Sequence, residues 1–255
     1  MLTFNYTAYR DEVGQLAVAF NRMADSLSAT ENLRKTMIID VAHELRTPLT
    51  NIRGYLEALL DGVVAPSTEN FELLHEETLR LVDLVEDVLR LAKADAARGD
   101  LHKTEISILS LLEQGLSAFR PQFNAKQINV ETQFGATDAW LRADLNKLSQ
   151  VVGNLLQNAL QYTEPGGTFR ISVEQTLGQI KVIFVNSGGE LGEQDLPFIF
   201  ERFYRGEKSR SREHGGAGIG LAIVKELIEA HNGSVGADIS QGDTRVWFAL
   251  PVGIM

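Results

Sequence analysis

His43 and Glu44 are neighbours, and Thr47 lies one helical turn beyond the histidine. A titratable nucleophile, an adjacent carboxylate and a hydroxyl one turn on are thus gathered on one short stretch. The run Ile38–Leu60 carries apolar residues at Val41, Leu45, Leu49, Ile52, Leu56 and Leu59, in steps of three and four, which predicts an amphipathic helix. On that helix His43 and Thr47 share a face, and Glu44 lies about 100° round on its flank. Pro48 has no amide hydrogen, so the carbonyl of Glu44 loses its helical partner and a bend is expected there. A His-Glu pair on a helix is more often a merely solvated pair, so its meaning depends on the residues elsewhere in the chain.

A second group of chemically capable residues lies further on. The helix predicted from Leu145 to Tyr162 has an apolar face (Leu148, Val151, Val152, Leu155, Leu156, Ala159) beside a polar row of Gln150, Asn154 and Asn158. Asparagine is a poor helix former, so two on one face need a reason. Arg202, Arg205, Lys208, Arg210 and Arg212 fall within a short stretch of a chain whose net charge is −10. Such a loop can supply the local cations that a triphosphate needs and that the chain as a whole lacks. Gly216, Gly218 and Gly220 lead into a helix predicted from Ile219 to His231, and glycines at a helix N-terminus let backbone amides approach phosphates. There is no P-loop lysine motif. His231, before Asn232-Gly233, reads as a helix C-terminal residue.

These groups need a scaffold, and the hydrophobic pattern supplies one. Val13, Leu16, Phe20, Met23 and Leu27 form a coiled-coil seam, and Leu33, Met37, Val41 and Leu45 are then spaced four apart, a departure from the heptad expected to unwind a supercoil locally just before His43. Asp61-Gly62 ends the long helix and Ala65-Pro66-Ser67 starts another, whose seam runs through Phe71, Leu74, Thr78, Leu81, Val85, Val88 and Ala92. A two-helix hairpin cannot bury both seams alone, so a homodimeric four-helix bundle is expected. Residues 96–100 form a hinge. Beyond it a helix (107–119), strands (128–134, 139–143), the helix 145–162, strands (168–176, 179–185), a polar loop (188–216), the helix 219–231 and strands (234–240, 245–250) predict an α+β sandwich. The absence of cysteine excludes disulfides and thiolate chemistry, and the negative charge argues against direct nucleic-acid binding. No run approaches the length of a membrane span and the first ten residues lack a signal-peptide layout, so a soluble fragment is expected.

The run from His43 to Leu49, His-Glu-Leu-Arg-Thr-Pro-Leu, resembles the phospho-acceptor box of sensor histidine kinases, and further boxes of that family succeed it in order. Asn154 to Thr163 resembles its N box, shared with gyrase, Hsp90 and MutL ATPases. Phe200 to Arg205 resembles the F box, Gly216 to Leu221 the second glycine box and Gly242-Asp243-Thr244 the last. Asp11, Glu12 and Gly14 match the opening of the second helix of a HAMP linker. The resemblance implies a partial HAMP linker at 1–32, a dimerisation and phosphotransfer domain at 33–98, and a catalytic domain at 99–255, an ATP-binding sandwich of the GHKL (Bergerat) type. It implies ATP and Mg²⁺ as cofactors, with Asn158 and Asn154 at the metal. Tyr162 would pack on adenine, and Asn186, Gly188, Arg202, Arg205, Gly216, Gly218, Gly220, Leu221 and Thr244 would bind nucleotide. His43 would be phosphorylated from ATP and pass the group to an aspartate of a response regulator, with Glu44 as base and Thr47 orienting water in the reverse, phosphatase reaction. The parent would be membrane-anchored, with this portion cytoplasmic.

The first glycine box departs from the pattern. Where the family has Asp-x-Gly-x-Gly, this chain has Asn186-Ser187-Gly188-Gly189-Glu190. An amide accepts a hydrogen bond without charge and also donates, and a lost charge-assisted bond amounts to about tenfold to a hundredfold in affinity. Asn186→Asp is accordingly expected to tighten nucleotide binding by about tenfold. Glu190 adds negative charge, and Gln161 stands where a basic residue is usual. These three residues favour an alternative reading: a dimeric regulatory pseudokinase or phosphatase module that binds nucleotide weakly.

Overall fold

The computed structural model describes residues 12–96, 101–135, 139–176, 178–188, 191–204, 206 and 218–252. Expectations on Asp11, the hinge residues 97–100, Gly189, Glu190, Arg205, Lys208, Arg210, Arg212 and Gly216 lie outside these residues, as do those on the side chains of Glu12, Val13 and Leu33. The chain divides into two compact units, with the boundary between Thr78 and Leu79. Among the described residues no helix is long and apolar enough to cross a membrane.

Helix α1 (Glu12–Leu60) runs for 49 residues without a break, through the four-residue spacing before His43 and through Pro48. A proline in a helix removes one amide donor but leaves the turns on either side intact. The helix stops at Gly62, which takes φ +68, a region open to glycine; the amides of Val63 and Val64 both return to the carbonyl of Ala58, at 3.0 and 3.1 Å. Ser67 then caps helix α2 (Thr68–Ala96), its Oγ accepting from the amide of Asn70 at 3.3 Å. Asn51 of α1 donates to Glu77 of α2 at 3.1 Å. Along α1, Leu49, Leu56 and Leu60 keep 55%, 45% and 86% of their surface in water, so the helix presents an apolar stripe that its own chain leaves uncovered.

The second unit contains two sheets. Strand β1 (Thr104–Ser107) pairs antiparallel with β3 (Trp140–Ala143). The larger sheet has the order β2-β4-β5-β7-β6, from β2 (Asn129–Gln133), β4 (Thr168–Thr176), β5 (Gln179–Asn186), β6 (Ser234–Ser240) and β7 (Asp243–Pro251). Only the β2–β4 pairing in it is parallel. Helices α3 (Ile108–Ala125), α4 (Leu145–Tyr162) and α5 (Gly220–Ala230) pack with this unit.

One face of the large sheet carries the core. The rings of Phe123, Phe169, Phe184 and Phe248 succeed one another at 5.2, 6.2 and 6.3 Å, a row that leads from α3 across β4 and β5 to β7. On α4 the six residues read as its apolar face are all buried. The other face of the sheet carries ion pairs, Arg170 with Glu131 at 3.0 Å and Arg245 with Asp238 at 3.4 Å, beside the apolar pair Ile183 and Trp247. Trp247 lies there on Gly236, where a Cβ would come within 2.2 Å of the indole, and the Lys181 ammonium stands 4.1 Å above the ring.

A buried histidine joins three elements at one end of the unit. His231, at the C-terminal cap of α5, donates from Nδ1 to the carbonyl of Leu227 at 2.7 Å and accepts at Nε2 from the amide of Asp144 at 3.0 Å. Asp144 caps α4, taking the amides of Lys147 and His102 at 3.1 Å each. Burial of its carboxyl works upward, but these amide bonds outweigh it and hold the group below the usual carboxylate range. Burial also drives His231 below the ordinary histidine range, reinforced by Lys103 and opposed by its bond to Leu227 and by Asp144. Neutral His231 is therefore the folded form, while the unfolded chain protonates below about pH 6.5. The unfolded state then binds more protons, so stability present above that pH is lost as pH falls toward the depressed folded value. The urea midpoint should fall between pH 7.5 and 5.5, and His231→Gln should flatten that slope; an unchanged slope would place the titrating group elsewhere.

Candidate functional site

His43, Glu44 and Thr47 are all exposed on α1, and Pro48, the next residue, is buried. Pro48 is thus out of water while the imidazole stands in solvent. An exposed imidazole can be approached by two large partners in turn, which a phosphoryl relay requires and a buried histidine forbids.

The nucleotide candidates gather in the second unit, around α4. Its polar row leans toward α5: Asn154 donates from Nδ2 to the carbonyl of Gly220 at 3.2 Å, which ties the N box to the second glycine box. With its nitrogen committed there, the carbonyl oxygen of Asn154 points away from that bond, and Asn158 stands one turn further along the same row. Amide oxygens suit a hard divalent cation that keeps most of its waters, so the donor set fits Mg²⁺. Tyr162 is half-buried at the end of the helix, and Leu221 is half-buried in the first turn of α5.

Asn186 ends β5 with 5% of its surface exposed. Its Nδ2 donates to the carbonyl of Ala159 at 3.3 Å and to Thr163 Oγ1 at 3.1 Å. A carbonyl oxygen only accepts, so the atom facing Ala159 must be the amide nitrogen, which leaves Oδ1 as an acceptor. Thr244 stands directly opposite Asn186 in the β5–β7 ladder, so the first and last glycine boxes meet as cross-strand partners. Gly188, two residues on, takes φ +72.

Arg202 lies 3.8 Å from Glu226 of α5, both side chains nearly buried, and the neighbouring Glu201 takes Lys225 at 3.2 Å. Gly218 (φ +72) takes the amide of Phe203 on its carbonyl at 3.1 Å, and a Cβ there would meet the carbonyl of Tyr204 at 2.8 Å. Its glycine is needed for chain against chain. Asp195 is a further organiser, accepting from the Tyr204 hydroxyl at 2.6 Å and from the Gly192 amide at 3.0 Å; these two bonds hold its carboxyl below the usual range. Neither Thr163 nor Asp195 is marked by periodicity or charge clustering. Their roles arise from partners 23 and 9 residues away.

Comparison with known families matches three stretches of the chain. Residues 143–254 match the histidine kinase-, DNA gyrase B-, and HSP90-like ATPase, residues 33–97 the His Kinase A phospho-acceptor domain, and residues 7–29 the HAMP domain. The signal transduction histidine-protein kinase BaeS of Escherichia coli is 37% identical over 95% of this chain; the chain spans about half of that relative, 52% of its length. The solved structure of the Acinetobacter baumannii histidine kinase AdeS aligns over 83% of this chain and 98% of its own with TM-score 0.63 and 25% identity. The histidine kinase ThkA, solved in complex with the response regulator protein TrrA, shares the fold over 90% of this chain and 63% of its own, with TM-score 0.67 at 24% identity. Fold and site together define a phospho-acceptor helical hairpin joined to an ATPase domain of the GHKL type. The chain belongs to the sensor histidine kinases of two-component systems.

The buried amide gives a test. Asn186→Asp exchanges a donor pair for a carboxylate whose oxygen would face the Ala159 carbonyl. The nucleotide-free protein should lose about 1–3 kcal/mol, read as a lower urea midpoint. An equal or higher midpoint would show that the amide's two bonds contribute nothing.

Proposed function

We propose that this chain phosphorylates His43 from Mg-ATP, as a homodimer, and passes the phosphoryl group to an aspartate of a response regulator. The single observation that carries the reading is the joint presence in one chain of an exposed His43-Glu44 pair on α1 and, in the second unit, of Asn154 bonded to Gly220 and Asn186 paired across strands with Thr244. The kinship with BaeS and the response-regulator complex of ThkA support it.

In this mechanism Asn186 Oδ1 accepts the exocyclic amino group of adenine, and Tyr162 lies along the base. Asn158 and Asn154 would hold Mg²⁺, which neutralises charge on the transferring phosphate. Glu44 takes the proton from the imidazole nitrogen that does not attack, which leaves the other nitrogen as nucleophile. Thr47 orients water for the phosphatase reaction. The homodimer covers the leucine stripe of α1, since exposed apolar surface costs about 25 cal/mol per Å². Residues 1–32, 33–98 and 99–255 act as linker, phosphotransfer and catalytic portions of a membrane-anchored parent. The rival reading, a regulatory module with little kinase activity, is favoured only by Asn186, Glu190 and Gln161.

Labelled ATP decides between them. Wild-type chain should acquire acid-labile, base-stable phosphate, and His43→Gln should abolish it while the circular dichroism spectrum is unchanged. Label surviving this change would move the acceptor to another histidine. Absence of label in the wild type, with the regulator still dephosphorylated, would favour the rival.

Thr47→Ala should remove phosphatase activity toward the phosphorylated regulator by about tenfold or more and leave His43 labelling within about twofold, since water needs the hydroxyl and imidazole does not. Equal loss of both rates would point to a damaged helix.

A further inference from the structure

Helix α4 ends where the base pocket begins, and its last turn carries no basic side chain. The final carbonyls of a helix lack amide partners and carry partial negative charge, which a cation stabilises. Here the cation comes from a different helix. Lys126, at the C-terminal cap of α3, directs its ammonium to the carbonyls of Leu160 at 2.7 Å, Thr163 at 3.0 Å and Gln161 at 3.3 Å. An ammonium has three donors, and these three carbonyls match them in number.

The lysine is itself held at both ends of its backbone. Its amide donates to the carbonyl of Gln122 at 3.1 Å, and its own carbonyl accepts from the amide of Gly166 at 3.3 Å. Thr163 links this clamp to the pocket. Its carbonyl takes Lys126, its amide returns to Ala159 at 2.9 Å, and its hydroxyl takes Asn186. The ammonium, the helix end and the amide of Asn186 thus form one hydrogen-bonded chain from α3 through α4 to β5.

We propose that Lys126 is a positioning residue for nucleotide binding: it fixes Tyr162 and Thr163, and through Thr163 it sets the direction in which Asn186 presents its carbonyl oxygen. The inference rests on the assignment of Tyr162 and Asn186 to the base pocket. Lys126 acts through these residues and touches no substrate.

Lys126→Met keeps the stem and removes the donors, and Lys126→Arg restores a cation. Both are made in the whole 255-residue chain. Amide hydrogen exchange at Thr163 and Gly166 should quicken by about tenfold or more in the methionine variant and return toward wild type with arginine. Calorimetric titration with ADP should show binding weakened by about tenfold in the methionine variant and recovered with arginine. The KM for ATP in His43 labelling should rise, with the rate at saturating ATP unchanged. Unchanged exchange would overturn the clamp. Quickened exchange with unchanged ADP affinity would overturn the positioning role and leave only a structural one. A wild-type chain that binds no ADP would sink the nucleotide reading itself, and the proposal with it.

Discussion

The second unit depends on how the end of a helix is joined to the end of a strand. Asn186 closes β5 and Thr163 closes α4, and the hydrogen bond between them, at 3.1 Å, lies almost wholly out of water. Polar groups in such a place are tolerated only when satisfied. The requirement fixes the orientation of the amide and the rotamer of the threonine together. It also places Thr244, across the ladder from Asn186, at the same corner. The polar groups of the proposed nucleotide site at this corner are held by bonds that the chain itself makes.

Around that corner, charge is used to hold backbone and helices, and less to display cations. Arg202 is paired with Glu226, and Glu201 with Lys225. Each of these pairs binds the F box to α5, whose first residue takes Asn154 on its carbonyl. Among the described residues of this corner, Arg202 and Lys225 are thus paired with carboxylates of a neighbouring element.

Much of this is legible in the sequence. The bounds of α4, β4 and β6 are readable from apolar periodicity and from the turns beside them, and the phospho-acceptor run is specific enough to name a family. Three features are not. Strand β1 has four residues, too few for alternation to show, and it exists because β3 pairs with it. The apolar pattern predicts an end to helix α3 before Pro121, yet the helix continues to Ala125, because Phe123 is wholly buried among the core rings and holds the turn in place. The roles of Arg202 and Lys126 are hidden because a charge read from sequence has no direction. Both are fixed by partners more than twenty residues away. Periodicity describes faces of an element, while these contacts join one element to another.

Both tryptophans of the chain lie in the second unit, Trp140 on β3 and Trp247 on the open face of the large sheet, beneath Lys181. The helical hairpin has none. Among the described residues its two helices are the longest, at 49 and 29 residues against 18, 18 and 11 for the other described helices. Indole emission therefore reports on the sandwich alone, while ellipticity at 222 nm is dominated by the hairpin. The two optical signals are built into different parts of the molecule, so a single denaturation series recorded by both resolves whether the parts melt as one cooperative body or in succession.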